Sequence, residues 1–342
     1  MGDILHALPA VTALRLAHPQ WTIDWVVEPR WRELLETGNR EQGTGKAARS
    51  PEKPLVDAID PAPVKEWARN PLSAKTVREI RQLRRALRAG AYDAALDFQG
   101  AIRSAAIARL SGAPRIVGER EPREWAARWL FNERIPTRGA HVIEQDVELA
   151  SALAGDALAA DPPLLPIDPA AEIWCDELLP LGSAPVALLI PGAGWGAKRW
   201  PPERYAAVAR GLVDRGLRVL VNTGPGEEPL AAIVVRATGG AATPVAPTLG
   251  QLIALTRRTA LAIGGDSGPL HLACALARPV VGIYGPTDPT RNGPFGTRAK
   301  VLRSPFSRRD HARRAAPEAG LLTIAPEEVL QAADELLSEA SA

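Results

Sequence analysis

The stretch LAIGGDSGPLHLACALARPVVGIYG (261–285) holds the densest set of residues able to do chemistry: Asp266, Ser267, Gly268 and His271, directly after an apolar run. Gly264 and Gly265 let the chain turn sharply, Asp266 or Ser267 can cap a following helix, and Pro269 fits its first turn. Free amides at that helix start, with Gly268 permitting close backbone approach, suit a diphosphate, and His271 lies one turn further in. The same pattern also suits a plain capped turn followed by a surface histidine.

A second segment, PGAGWGAKRWPPERY (191–205), again follows an apolar run and precedes a helix that starts at Pro201-Pro202. Its glycines and Lys198 suit an anionic ligand. The spacing is not that of a Walker A loop, so ATPase chemistry is disfavoured. The plainer alternative makes Lys198 and Arg199 solvated charges and Trp200 a packing anchor. A third loop, NTGPGEE (222–228), offers Glu227 and Glu228, either as acceptors for ribose hydroxyls or as ordinary first-turn acids. Near the start, Asp3 precedes the helical run ILHALPAVTALRLAHP and has the position of an N-cap; a carboxylate there could also take a proton from an attacking hydroxyl.

Basic charge concentrates in the first half, where residues 60–140 carry 16 Lys/Arg against 9 Asp/Glu. Arg78, Arg81, Arg85 and Arg88 recur at one-turn spacing and read first as a solvated helix face. With Arg103, Arg120 and Arg123 they also suit phosphorylated or carboxylated acceptors at an anionic membrane surface. Nucleic acid is disfavoured because no recognition module accompanies the charge.

These loops need elements to hold them. Apolar runs at 25–28, 94–98, 187–191, 219–222, 261–265 and 280–284 alternate with helical patterns, which argues for βαβ units and parallel sheets, an α/β fold. The 342 residues exceed one ordinary core and imply two domains. The Pro-, Gly- and Asp-rich stretch 155–169 marks the boundary, giving domains 1–158 and 159–325, and a last helix within 326–342 that can pack back on the first domain. Residues 38–54 read as a long mobile loop. Cys175 and Cys274 have no metal or redox spacing and read as buried fillers. No apolar run is long enough to span a bilayer and no signal sequence follows Met1, so a cytoplasmic location is expected.

The segments MGDILHALPA (1–10), WVVEPRW (25–31), YDAALDFQGAIRSA (92–105), PREWAARWLFN (122–132), KRWPPERY (198–205), GDSGPLHLACAL (265–276) and YGPTDP (284–289) together resemble glycosyltransferase family 9, the ADP-heptose:lipopolysaccharide heptosyltransferases, and within it the type I inner-core members. The resemblance covers nearly the whole chain. It implies a GT-B fold, two Rossmann-like doubly wound domains facing a central cleft. It further implies an inverting, metal-independent transferase without a cofactor, moving heptose from ADP-heptose to the Kdo of lipid A at the cytoplasmic face of the inner membrane. By it, Asp3 is the general base, Lys198 contacts the donor phosphates and Glu227 the ribose. Asp266, Ser267, Gly268 and His271 hold the diphosphate and heptose, and Arg123, with Arg120 and Arg103, meets the acidic acceptor sugar. Family members carry an apolar strand before the Gly-Asp pair, so the first strand of the N-terminal domain is expected to be missing here. Two other readings stay open: a type II or other nucleotide-sugar transferase of the family, and a catalytically silent nucleotide-sugar-binding protein.

Overall fold

The computed structural model describes residues 1–36, 39–41, 53–310 and 314–339. Most of the loop expected at 38–54 lies outside these. The chain divides into two compact units. One comprises His6–Thr37 and Ala47–Leu164; the other comprises Leu165–Ala342 together with Met1–Leu5 and Gly38–Lys46. The change of unit falls at 164/165, six residues beyond the expected 158.

The N-terminal half runs α1 (Gly2–Ala17), β1 (Asp24–Val27), β2 (Asn39–Glu41), β3 (Ala58–Pro61), α2 (Val64–Arg69), α3 (Ala74–Ala89), β4 (Ala94–Asp97), α4 (Ile102–Ser111), β5 (Arg115–Glu119), β6 (Glu133–Ile135) and α5 (Val142–Ala154). Helix α1 is apolar on all sides, and Leu5, Leu8, Val11 and Leu14 are all buried, as such a helix must be. Its Ala10 and Leu14 meet Val147 and Ala150 of α5, with Ile23, Leu96 and Phe98 against them. Arg15 is fully buried in this helix, and its guanidinium donates to the carbonyls of Leu55, Pro19 and Trp21 and to the Asp57 carboxylate. The parallel strands form two ladders, β1-β3 and β4-β5-β6, and among the described residues nothing pairs the second edge of β1 or of β4. Helix α3 exposes Arg78, Arg81, Arg85 and Arg88 and buries Leu83 and Leu87, the solvated arginine face its spacing suggests.

The second half continues β7 (Leu165–Ile167), α6 (Pro169–Leu178), β8 (Val186–Ile190), α7 (Pro202–Asp214), β9 (Arg218–Asn222), α8 (Glu228–Ala237), β10 (Thr243–Val245), α9 (Leu249–Arg257), β11 (Thr259–Gly265), α10 (Gly268–Ala275), β12 (Val280–Tyr284), α11 (Pro289–Asn292), β13 (Ala299–Arg303) and α12 (Pro326–Ser338). Six strands form one parallel sheet in the order β10-β9-β8-β11-β12-β13. The winding starts at β8, runs outward to β10, returns to β11 and runs outward the other way. That is the doubly wound dinucleotide-binding order, and its direction reverses between β8 and β11. Every residue of β8 and of β12 is buried, because helices cover both faces.

Helix α12 packs into the core of its own unit. Val329, Ala332, Ala333 and Leu336 enter the core formed by β8, β9, β11, β12 and α7, and Asp334 accepts from Nε and Nη2 of Arg215 at 2.6 and 2.8 Å. The apolar stripe of this helix matches the face of its own sheet.

Candidate functional site

In an open parallel sheet, ligands bind beyond the carboxyl ends of the strands where the winding reverses, here beyond β8 and β11. The two loops that leave those ends carry Lys198 and the Asp266–His271 group. They lie close: a Cβ on Gly265 would sit 2.9 Å from the Lys198 carbonyl oxygen.

Lys198 closes a single 3-10 turn, Gly196–Lys198, held from behind by Ala197 N–H to the Arg314 carbonyl (3.0 Å) and Glu318 N–H to the Ala197 carbonyl (3.1 Å). Its ammonium stands 4.0 Å from the centre of the Trp195 ring and forms an ion pair with Asp266. The other Asp266 oxygen lies 2.9 Å from His271 Nε2. All three side chains are close to buried, with 11% of Lys198, 9% of Asp266 and 6% of His271 exposed. Burial opposes the Asp266 charge, but His271 and then Lys198 outweigh it and hold the carboxyl well below the usual carboxylate range.

The plain readings of these segments match the geometry only at Trp200. Asp266 and Ser267 do not cap α10 with their side chains; Ser267 stands at the N-cap position without such a bond. His271 is buried against Asp266, not on a surface face, and Lys198 is not a solvated charge. Trp200 is the packing anchor the sequence suggested: 1% exposed, its ring edge-on to Tyr205 at 5.0 Å and its indole N–H on the Ile324 carbonyl. The Ser267 hydroxyl is buried with no hydrogen-bond partner among the described residues, and so is that of Thr287, after β12. Buried hydroxyls without a protein partner are uncommon. Sequence reasoning passed over Thr287, although it sits in the YGPTDP segment.

Glu227 stands at the N-cap of α8, yet its carboxylate turns back to accept from Gly224 N–H at 3.0 Å. It lies over Gly192, where a Cβ would come 2.1 Å from it. The loops after β8 and β9 thus meet at a glycine, where any side chain would displace the Glu227 carboxylate. At the start of the chain, Asp3 is exposed and lies in the first turn of α1, which begins at Gly2, so it is not the N-cap. Met1 takes that place, its carbonyl accepting from the amides of Ile4 and Leu5. A Cβ on Gly268 would lie 2.8 Å from Met1 Sδ, and one on Gly2 would lie 3.5 Å from His271 Cδ2. The residues before Asp3 therefore rest on the start of α10.

Arg103, Arg120 and Arg123 belong to the other unit, at the carboxyl ends of β4 and β5, and all three are exposed. Their loops interlock: Glu124 N–H donates to the Gly100 carbonyl (2.9 Å), and Ile102 N–H donates to the Glu124 carboxylate (2.8 Å). Gly100 has φ +60, and a Cβ there would lie 2.9 Å from the Arg123 amide, so close approach and backbone both demand glycine. Asp97, which the sequence reading did not single out, organises this turn by accepting from Gln99 N–H (2.8 Å), Gly100 N–H (3.1 Å) and the Ser104 hydroxyl (2.9 Å). Its signal was a lone carboxylate inside the apolar run AALDF. Burial nonetheless pushes the Asp97 carboxyl above its ordinary value.

The sequence profile of glycosyltransferase family 9 (heptosyltransferase) matches residues 80–321. The chain is 31% identical to lipopolysaccharide heptosyltransferase 1 of Escherichia coli (strain K12) over 89% of its own length and 91% of the relative's. It is 28% identical to lipopolysaccharide heptosyltransferase 2 of the same strain over 100% and 97%. Among solved structures, the E. coli heptosyltransferase WaaC with ADP superposes with a TM-score of 0.78 at 26% identity, covering 98% of this chain and 97% of that one. A family 9 glycosyltransferase from Veillonella parvula shares the fold with a TM-score of 0.79 at 20% identity, covering 99% and 94%. The fold is that of the GT-B glycosyltransferases, and the chain belongs to glycosyltransferase family 9, the heptosyltransferases.

Proposed function

We propose that this glycosyltransferase moves L-glycero-D-manno-heptose from ADP-heptose to the Kdo of a lipid A acceptor in lipopolysaccharide core synthesis, by one inverting displacement. Asp3 takes the proton of an acceptor hydroxyl while that oxygen forms its bond to the anomeric carbon. The bond from that carbon to the diphosphate breaks, and ADP leaves with the electron pair. Lys198 and the amides at Ser267 and Gly268 receive the charge that develops on the diphosphate. Glu227 accepts from the ribose hydroxyls, Asp266 and His271 orient the sugar, and Arg123, Arg120 and Arg103 pair with the carboxylate of the acceptor.

The observation that carries this reading is the packing of Met1 and Gly2 on Gly268 and His271. Because Asp3 follows these two residues directly, that packing supports the reading in which it works beside the helix whose amides suit a diphosphate. A transferase acting on a different core sugar is the second reading, favoured by the full-length likeness to a heptosyltransferase 2. Assay of Asp3→Asn with ADP-heptose and Kdo-lipid A tests the base: transfer should fall by at least about a thousandfold, in the upper range for general acid–base catalysis, with ADP affinity unchanged. Lys198→Ala should weaken both transfer and ADP binding. Full activity of Asp3→Asn would refute the assignment, and turnover only on a heptosylated acceptor would favour the second reading.

A further inference from the structure

We infer that the turn Trp125–Leu130 of the first unit is an interfacial anchor that docks this protein on an anionic phospholipid surface. Trp125 and Trp129 are 61% and 58% exposed, and Ile102, whose amide is held by the neighbouring Glu124, is 47% exposed. Single exposed apolar side chains need no explanation, but two indoles in edge-on contact at 5.8 Å beside an exposed isoleucine form a patch. The turn is held firmly from below, because Ala127 and Phe131 are buried with Ala105 and Ile116. The exposure is therefore built into a packed element and is not a feature of a loose loop.

The charges around the patch select its partner. The Arg128 guanidinium stands 5.4 Å from both indole rings, and that of Arg134 stands 5.3 Å from Trp129 while donating to the Arg128 carbonyl. Exposed Arg120 and Arg123 lie just before the turn in sequence, against the acids Glu121 and Glu124, and Glu124 is engaged with the Ile102 amide. Indoles favour the headgroup layer of a bilayer, where the ring is sheltered and the N–H stays solvated. Guanidiniums beside them meet lipid phosphates. No helix among the described residues is long and apolar enough to cross a membrane. An interfacial anchor of this kind would bring the chain to a lipid-linked acceptor; that sense rests on the proposed function, whereas lipid binding itself does not.

The test is co-sedimentation with vesicles of phosphatidylcholine containing phosphatidylglycerol, and of phosphatidylcholine alone, without donor or acceptor. The intact chain should partition onto the anionic vesicles and release as salt rises. Trp125→Ser with Trp129→Ser should lower partitioning about tenfold or more, the paired Phe substitutions should restore part of it, and Arg134→Gln should lower it about fivefold. Because a serine pair could disturb folding, hydrogen exchange of the unaltered chain gives a second readout: amides of 125–130 should gain protection on anionic vesicles. Equal binding to neutral vesicles, no binding, undiminished binding of the serine pair, or unchanged exchange at 125–130 would overturn the inference. Heptosyl transfer to a delipidated acceptor, measured on the same variants, reports on the proposed reaction independently of the anchor.

Discussion

Asp266→Asn removes one negative charge from a group of three nearly buried side chains, and its cost can be worked from their surroundings. Lys198, 11% exposed, loses its carboxylate partner. Stripping one member from a buried ion pair costs about 3–5 kcal/mol. The Trp195 ring remains 4.0 Å from the ammonium and offsets about 1 kcal/mol of that. His271 keeps a neutral acceptor, because the Asn carbonyl can replace the oxygen that now faces Nε2. The net loss is about 2–4 kcal/mol, which for a unit of this size lowers the melting temperature by roughly 8 °C. ADP should behave differently. An incoming diphosphate and Asp266 compete for one ammonium, so the Asn variant should bind ADP at least as tightly, and saturating ADP should recover much of the lost stability. Thermal melts with and without ADP, together with calorimetric titration, read both effects. A fall of less than about 2 °C would refute the buried charge network, and a tenfold weaker ADP affinity would refute the competition.

Arg15→Met should cost about 3–5 kcal/mol in urea unfolding, since it leaves the Asp57 carboxylate and the Trp21 and Leu55 carbonyls without their shared donor. Burial opposes the Asp57 charge, but the Ile23 amide and Arg15 outweigh it and lower its pKa on folding. The stability it contributes is thus complete above the ordinary carboxylate pKa of about 4 and is lost as pH falls through the lower folded value, a loss the Met variant should show only weakly. Gly192→Ala places a methyl group on the Glu227 carboxylate and should break its bond to Gly224. The carboxylate can swing aside, so stability should change by under about 1 kcal/mol while ADP affinity falls about tenfold; an unchanged titration curve would separate Glu227 from the ribose.

All six apolar runs picked out in the sequence are strands, namely β1, β4, β8, β9, β11 and β12. Most strands that escaped notice are short or half-exposed: β3, β6, β10 and β13 bury at most one residue each, and β2 and β7 are three residues long. A run of apolar residues is required only where both faces of a strand are covered, so edges and partly solvated strands leave a fainter trace. Strand β5 is the instructive exception, buried at Ile116, Val117 and Gly118 but interrupted by a glycine that makes room for Phe131. Of the site, the loops and their order were legible, because glycine, proline and a charge after an apolar run have few uses. The pairing inside it was not. Nothing local in GDSGPLH tells that Asp266 turns to Lys198, 68 positions away, and not to the amides of its own helix.

The second unit is assembled from distant parts of the chain. Its first residues, Met1–Leu5, are made before any of its strands, and α12, which fills its core with Val329, Ala333 and Leu336, follows all of them. A ribosome adds about 5–20 residues per second, so the start of α1 exists for many seconds before β11 and α10 do. During that interval the span His6–Leu164 can gather its own core, while the start of α10, on which Met1 and Gly2 come to rest, is not yet made. The order of synthesis and the order of assembly therefore differ, and the proposed proton acceptor takes its place only when some of the last segments to emerge have folded.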